Sequence, residues 1–240
     1  MTIEPSDTDE QAPARRCFHC FRPRNDCYCA TVPTVANRTP VLLVQHRRER
    51  RHPFNTARIV RMALENAEAV VGDVARIAAS LVLRPGAGLL YPGDDAKPLG
   101  NLAPHELPRQ LVVLDGTWHH TKTMLRDIPA LARLPRHALS PTEGSRYRIR
   151  REPTAAALST LEAVVDALRV LEPETAGLDE LLAAFVGMID RQLLHPRKVV
   201  DGWRSHARSA RLRRTFPRCC WAILRTSSRR TAKRCRGLRA

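Results

Sequence analysis

Residues 111–118, Leu111-Val112-Val113-Leu114-Asp115-Gly116-Thr117-Trp118, decide the fold. Four consecutive aliphatic side chains suit a short strand buried on both faces. The run stops at Asp115-Gly116-Thr117-Trp118, and a helical pattern follows. An acid, a flexible Gly, a hydroxyl and a large aromatic thus stand at the carboxyl end of a core strand. In open α/β sheets that is where ligands bind. The same residues also suit a plain strand-to-helix turn, with Asp115 or Thr117 as N-cap and Trp118 in the core.

Outward from this strand the pattern alternates. Residues 40–45, PVLLVQ, read as a strand, and Asn55-Thr56 opens an amphipathic helix through Ala67 with Ile59, Met62 and Ala63 on one face. Ala87 to Tyr91 is a second strand, bounded by Gly86 and Pro92-Gly93. A helix follows Trp118 to Leu125 or Arg126, then a short strand at His137 to Leu139. A polar loop over 141–153 leads to a helix carrying Leu158, Leu161, Val164, Val165 and Leu168, and a last helix spans Leu178 to Leu194. Strands alternating with helices predict an α/β fold, a mainly parallel sheet flanked by helices. No internal repeat is present.

The 240 residues predict one domain with at most a small appendage, and 43% hydrophobic residues suffice for a core. Aromatics at 5% make that core aliphatic. No run approaches the ~18 apolar residues of a membrane span. The opening MTIEPSDTDE lacks the basic and apolar regions of a signal peptide, which predicts a cytoplasmic protein without membrane attachment and without a disulfide framework. The net charge of +16 is uneven: residues 197–240 hold 13 Arg and 2 Lys against Asp201 alone, so the first 196 residues carry only +2. A basic tail binds RNA without sequence preference. Its mixture of Arg, Ser, Cys and Trp equally resembles out-of-frame translation of a G+C-rich gene. The chain therefore divides into a disordered start (1–14), a cysteine module (15–36), an α/β domain (37–195) and a disordered basic tail (196–240).

Cys17, Cys20, Cys27 and Cys29 place four thiols within 13 residues. Thiolates at such short spacings supply the four tetrahedral ligands of Zn2+. Arg15, Arg16, Arg22 and Arg24 favour the ionised thiols. With no open position the site is structural, and bound metal contributes ~10–16 kcal/mol of apparent binding free energy, enough to fold a short segment. His19 is an alternative ligand; the competing reading is a set of free cytosolic thiols. Cys219, Cys220 and Cys235 lack metal-site spacing.

Two polar stretches remain. Residues 45–56, QHRRERRHPFNT, lead into an Asn-Thr helix start, where free backbone N–H groups favour an anion. His46, Glu49 and His52 lack the helical i, i+4 spacing of a metal motif, and a solvated basic loop is the plainer reading. Residues 145–153, SRYRIRREP, alternate base and apolar side chains. In a strand, Arg146, Arg148 and Arg150 share one face, suited to phosphates or to protecting a sheet edge. Ser159 and Glu162 stand at capping-box spacing.

In this order these pieces resemble the DTW-domain family, the tRNA-uridine aminocarboxypropyltransferases. The resemblance runs from Cys17 to Gln192: the four cysteines, His46 with Glu49 and Asn55-Thr56, Leu90-Tyr91-Pro92-Gly93, Asp115-Gly116-Thr117-Trp118, Tyr147-Arg148-Ile149-Arg150 with Glu152-Pro153, and Leu158-Ser159-Thr160-Leu161-Glu162-Ala163. The chain after His195 departs from the pattern.

The resemblance implies a SPOUT-like fold with S-adenosylmethionine among loops at the carboxyl ends of the strands. It implies transfer of the 3-amino-3-carboxypropyl arm to N3 of a tRNA uridine, with release of 5′-methylthioadenosine. Uridine N3 must lose a proton, so a carboxylate is expected near the base: Asp115 first, Glu49 behind it. Asp115 alternatively pairs with the amino group of the arm. The expected cofactor contacts are Pro92, Gly93, Gly116, Thr117, Trp118, Arg148 and Ser159, with an arginine gripping the arm's carboxylate and Trp118 stacking on adenine or uracil. The expected tRNA contacts are His46, Asn55, Arg146, Tyr147 and Arg150, with Arg151 and the zinc module on the RNA backbone. The target uridine is expected to leave its stack. A monomer is favoured. A methyltransferase using the same cofactor and a non-catalytic zinc-stabilised RNA-binding protein are the competing readings.

Overall fold

Both neighbours of the Leu111–Leu114 strand run parallel to it. The computed structural model describes residues 16–140, 145–149 and 158–194. The chain order is β1 (Val41–His46), α1 (Thr56–Ala63), β2 (Ala67–Gly72), α2 (Val74–Ser80), β3 (Ala87–Leu90), β4 (Lys97–Pro98), β5 (Gln110–Asp115), α3 (Trp118–Asp127), α4 (Pro129–Ala132), β6 (Arg136–Ala138), α5 (Thr160–Leu171) and α6 (Leu178–Leu194). The six strands form one sheet in the order β2-β1-β5-β3-β6-β4, and every described pairing is parallel.

Parallel strands need covered faces, and both faces are covered. Val41 and Leu43 of β1 and Leu111 and Val113 of β5 pack with α1, α5 and α6. Leu42, Val44, Val112 and Leu114 point the other way, toward Ile77 of α2, Met124 of α3 and Leu131 of α4. Alternation thus aims Gln45 and Asp115 at the α1/α5 face. They are also direct register partners.

Several elements differ from the sequence reading. The first helix ends at Ala63, not Ala67, and residues 67–72 form strand β2. Leu64 turns extended and bridges Val35, while Asn37 Oδ1 accepts from the Asn66 N–H at 3.0 Å and draws the chain back to the sheet. α2, capped by Asp73, was hidden by its short apolar face, where Ile77 alone is buried. The β4 and α4 segments are two and four residues long, too short for a periodic signal.

Residues 145–149 are not a strand. Glu162 Oε1 accepts from the Arg146 N–H at 2.6 Å, and its Oε2 accepts from Ser145 Oγ at 2.7 Å. The Arg148 N–H then bonds the Arg146 carbonyl, closing a tight turn. Arg150, Arg151, Glu152 and Pro153 lie outside the described residues, as do the acidic start and the basic tail.

The cysteine module shares the domain's buried core. Cys20, Tyr28 and Val35 belong to the same buried cluster as α1, α5 and α6. Arg22 Nη2 donates to Gln192 Oε1 of α6 at 2.6 Å, and Arg58 Nη1 of α1 donates to the Cys20 carbonyl at 2.9 Å.

Candidate active site at the carboxyl ends of the strands

Asp115 is the hub of the site. Its side chain is buried, with the residue 1% exposed. Oδ2 accepts from Gln45 Nε2 at 2.6 Å and from Asn55 Nδ2 at 3.1 Å, while Oδ1 accepts from Thr160 Oγ1 at 2.9 Å. One carboxylate thereby joins β1, β5 and the N-termini of α1 and α5.

Each partner is itself fixed. Asn55 caps α1, its Oδ1 accepting from the Arg58 N–H at 2.7 Å, and its Nδ2 also donates to the Glu49 carbonyl at 3.1 Å. Ser159 caps α5: the Glu162 N–H donates to Ser159 Oγ at 3.3 Å, and Glu162 Oε2 accepts from the Ser159 N–H at 2.9 Å. This is the reciprocal capping box expected from the spacing. Glu162 serves both that cap and the 145–146 turn.

Thr117, not Asp115, is the N-cap of α3, its Oγ1 accepting from the His120 N–H at 3.2 Å. Trp118 is half-buried, with Tyr91 edge-on at 6.3 Å and Lys122 Nζ 5.6 Å from its centroid. Gly116 packs so closely that a Cβ there would lie 2.9 Å from His120 Cβ. His46 and His120 stack at 3.6 Å beside a cavity of about 240 Å³ that Arg47, Arg48, Asp73 and His119 also line. Burial, reinforced by His46, pulls the His120 pKa down to about 4. Burial and then Arg48 lower that of His46.

The remaining expected residues divide by position. Pro92 is half-buried and Gly93 exposed just beyond β3, where a Cβ on Gly93 would meet Asp95 Oδ1 at 2.7 Å. Glu49 is buried in the β1–α1 connection. Arg148 is exposed and pairs with Asp190 of α6. Arg146 is exposed. Tyr147, expected on RNA, is instead 3% exposed: its hydroxyl donates to the Phe54 carbonyl at 2.9 Å and its ring packs on Phe185. Its neighbours in the turn point outward, which is the one part of the alternating pattern that survives.

Gln45, Thr160 and His120 escaped the sequence reading. Gln45 ends an apolar strand, and a polar residue there is the signal that a buried partner waits across the sheet. Thr160 follows a cap and so passes for ordinary first-turn polarity.

The four thiols converge. Their sulfurs all lie within 4.8 Å of one another. Cys17–Cys29 and Cys20–Cys27 are 3.7 and 3.8 Å apart. A tetrahedron with Zn–S bonds near 2.3 Å has edges of about 3.8 Å, so the donor set fits zinc in both chemistry and spacing. The Cys20 N–H holds the Cys17 thiol down at about 6, while burial pushes Cys20 and Cys29 up. Zn2+ would supply there the positive charge that four thiolates at this spacing would need.

Fold and site thus define an α/β protein with a polar hub at the carboxyl ends of a parallel sheet and a four-cysteine metal-binding cluster. A profile of the DTW domain matches residues 14–193, and the chain belongs to the DTW-domain family. It is 35% identical over 171 residues to the tRNA-uridine aminocarboxypropyltransferase 2 of Drosophila melanogaster, covering 65% of this chain and 66% of that protein. The Mus musculus protein of the same name is 28% identical over 207 residues, covering 81% and 68%. The tRNA-uridine aminocarboxypropyltransferase A of Arabidopsis thaliana is 26% identical over 219 residues, covering 73% and 80%. The chain spans about two thirds of the length of these animal relatives. Its homology is thus to a family of transferases. No solved structure matches the chain. Among the described residues no helix is long and apolar enough to cross a membrane.

Proposed function

We propose that this chain transfers the 3-amino-3-carboxypropyl arm of S-adenosylmethionine to N3 of a uridine in tRNA, releasing 5′-methylthioadenosine. The observation that carries the reading is the Asp115 hub within the DTW sequence, in a chain homologous to transferases of that name. The SPOUT-like assignment belongs to the same reading, and so does the division at residue 36. The all-parallel six-stranded sheet with helices on both faces supports the first, and the start of β1 at Val41, after the last of the four cysteines, supports the second.

S-adenosylmethionine supplies an electrophilic carbon: the deprotonated uridine N3 attacks it, the C–S bond breaks, and the sulfur leaves as a neutral thioether. The protein's own part is positional. Tyr91, Pro92 and Trp118 form a half-buried rim suited to a flat heteroaromatic ring. Arg136 Nε and His137 Nδ1, buried without a hydrogen-bond partner among the described residues, stand at the adjoining β6. That combination fits an adenosine-bearing ligand.

Asp115 acts as the anchor of the frame. Three donors already occupy its oxygens, so it holds the helix termini and the strand ends in register around the reactants. Glu49 is the second carboxylate at the site and takes the N3 proton. Arg146 and Arg150 serve the arm's carboxylate or the RNA backbone, and Arg148, already paired with Asp190, joins them only by exchanging partners.

The by-product distinguishes the reaction from methylation. Full-length protein with unmodified tRNA and S-adenosylmethionine is expected to release methylthioadenosine. Release of S-adenosylhomocysteine instead would assign it as a methyltransferase.

A further inference from the structure

On the far side of Gln45 from Asp115 lies a second cavity, of about 210 Å³, between the cysteine module and the α1 side of the sheet. Phe18 and Phe21 of the module flank it, Arg50, Arg58 and Arg61 ring it, and Gln45 lies on its floor. Among the described residues no acid lines it. Phe18 is 86% exposed although it follows Cys17 of the thiol cluster, whereas the segment's other six-membered rings, Phe21 and Tyr28, are half-buried and buried. The exposed ring is available for a flat partner to stack on.

The Phe21 wall of the cavity is braced by Arg58. Phe21 adopts a left-handed backbone conformation at φ 57°, which for a bulky residue is strained. Arg58 holds it there, its guanidinium 4.5 Å from the ring centroid while donating to the carbonyls of Cys20, Arg50 and His52. Arg58 is therefore spent on structure. Arg50 and Arg61 are exposed, and neither guanidinium has a hydrogen-bond or ion-pair partner among the described residues. An exposed ring next to two uncommitted guanidinium groups over a preformed hollow matches the chemistry of an unpaired nucleotide: a π-face to stack and a phosphate to neutralise.

We propose that this cavity seats an unpaired nucleotide of the RNA substrate, its base on Phe18 and its phosphate toward Arg50 and Arg61. The proposal rests on the reading of the chain as a tRNA-modifying enzyme, and it gives the cysteine module a function beyond stability. The floor connects the two places. Gln45 Nε2 donates to Asp115 Oδ2, so the nucleotide would stand one side chain from the hub.

The test uses the zinc-loaded full-length chain and an unmodified tRNA transcript carrying 4-thiouridine. Photo-cross-linking is expected to label the peptide containing Phe18. Phe18→Ala is expected to weaken tRNA binding by roughly tenfold to a hundredfold, the loss typical of one stacked base. Zinc content and thermal unfolding stay unchanged, and Phe18→Trp restores affinity. Arg50→Gln with Arg61→Gln should reduce the slope of log affinity against log salt by about 1 for each phosphate no longer neutralised. Wild-type affinity in Phe18→Ala, or cross-links confined to other peptides, would overturn the proposal while leaving arm transfer standing. Cross-linking at Phe18 in a protein that transfers no arm would support the cavity and remove the proposed reaction.

Discussion

Thr160 Oγ1 donates to Asp115 Oδ1 at 2.9 Å, so the first turn of α5 is fastened to the last residue of β5 across 45 positions of sequence. With Gln45 and Asn55 on the other oxygen, the carboxylate is a junction of four elements. Asp115→Ala leaves three buried donors unpaired and should cost about 3 kcal/mol of stability, with arm transfer lost. Thr160→Val removes one bond and should cost about 1 kcal/mol. Urea unfolding checks both; a midpoint unmoved in Asp115→Ala would deny the junction any structural weight.

Tyr147 separates a supporting role from RNA contact. Its buried hydroxyl bonds the Phe54 carbonyl, so Tyr147→Phe should cost about 1 kcal/mol while tRNA affinity stays at the wild-type value. A large loss of affinity at unchanged stability would return the residue to the RNA surface.

Metal should hold far more than its own loop, because Cys20 and Tyr28 are part of the main buried cluster. One zinc per chain is expected by elemental analysis. Chelation, or Cys27→Ser, should lower the thermal midpoint by about 10 °C or more. An unaltered midpoint after complete metal removal would contradict this packing.

Acid should weaken the protein through the His46–His120 stack. A free imidazole in the unfolded chain takes a proton near 6.5. Burial, and then His46, hold His120 at about 4, so the unfolded state binds protons first as pH falls. The stability contribution is complete above about 6.5 and is lost as pH drops toward 4. Denaturant midpoints across that range should fall more steeply for the wild type than for His120→Phe. Parallel curves would show that the stack does not titrate on unfolding.

Much of this was legible from apolar runs. Leu111–Leu114 and residues 41–44 are short continuous aliphatic stretches bounded by turn residues, which suits strands of a parallel sheet buried on both faces. The Ser159–Glu162 spacing announced its own cap. Residues 67–72, AEAVVG, were not legible: Ala and Glu continue a helical pattern, and an edge strand is only half-buried. The hub escaped for another reason. Its meaning lies in the pairing of Gln45 with Asp115 and in the docking of α5, both long-range facts that local periodicity does not carry. The alternation at residues 146–149 was real, yet Glu162 folded it into a turn instead of a strand.

The most direct test of the account is the product on the RNA. Purified full-length protein, unmodified tRNA and S-adenosylmethionine labelled in the amino-acid arm are incubated together, and the digested nucleosides are resolved by mass. The account predicts one uridine carrying the labelled arm at N3 with the wild-type chain and none with Asp115→Ala. Unlabelled uridines with the wild-type chain, or label retained in full by Asp115→Ala, would contradict it.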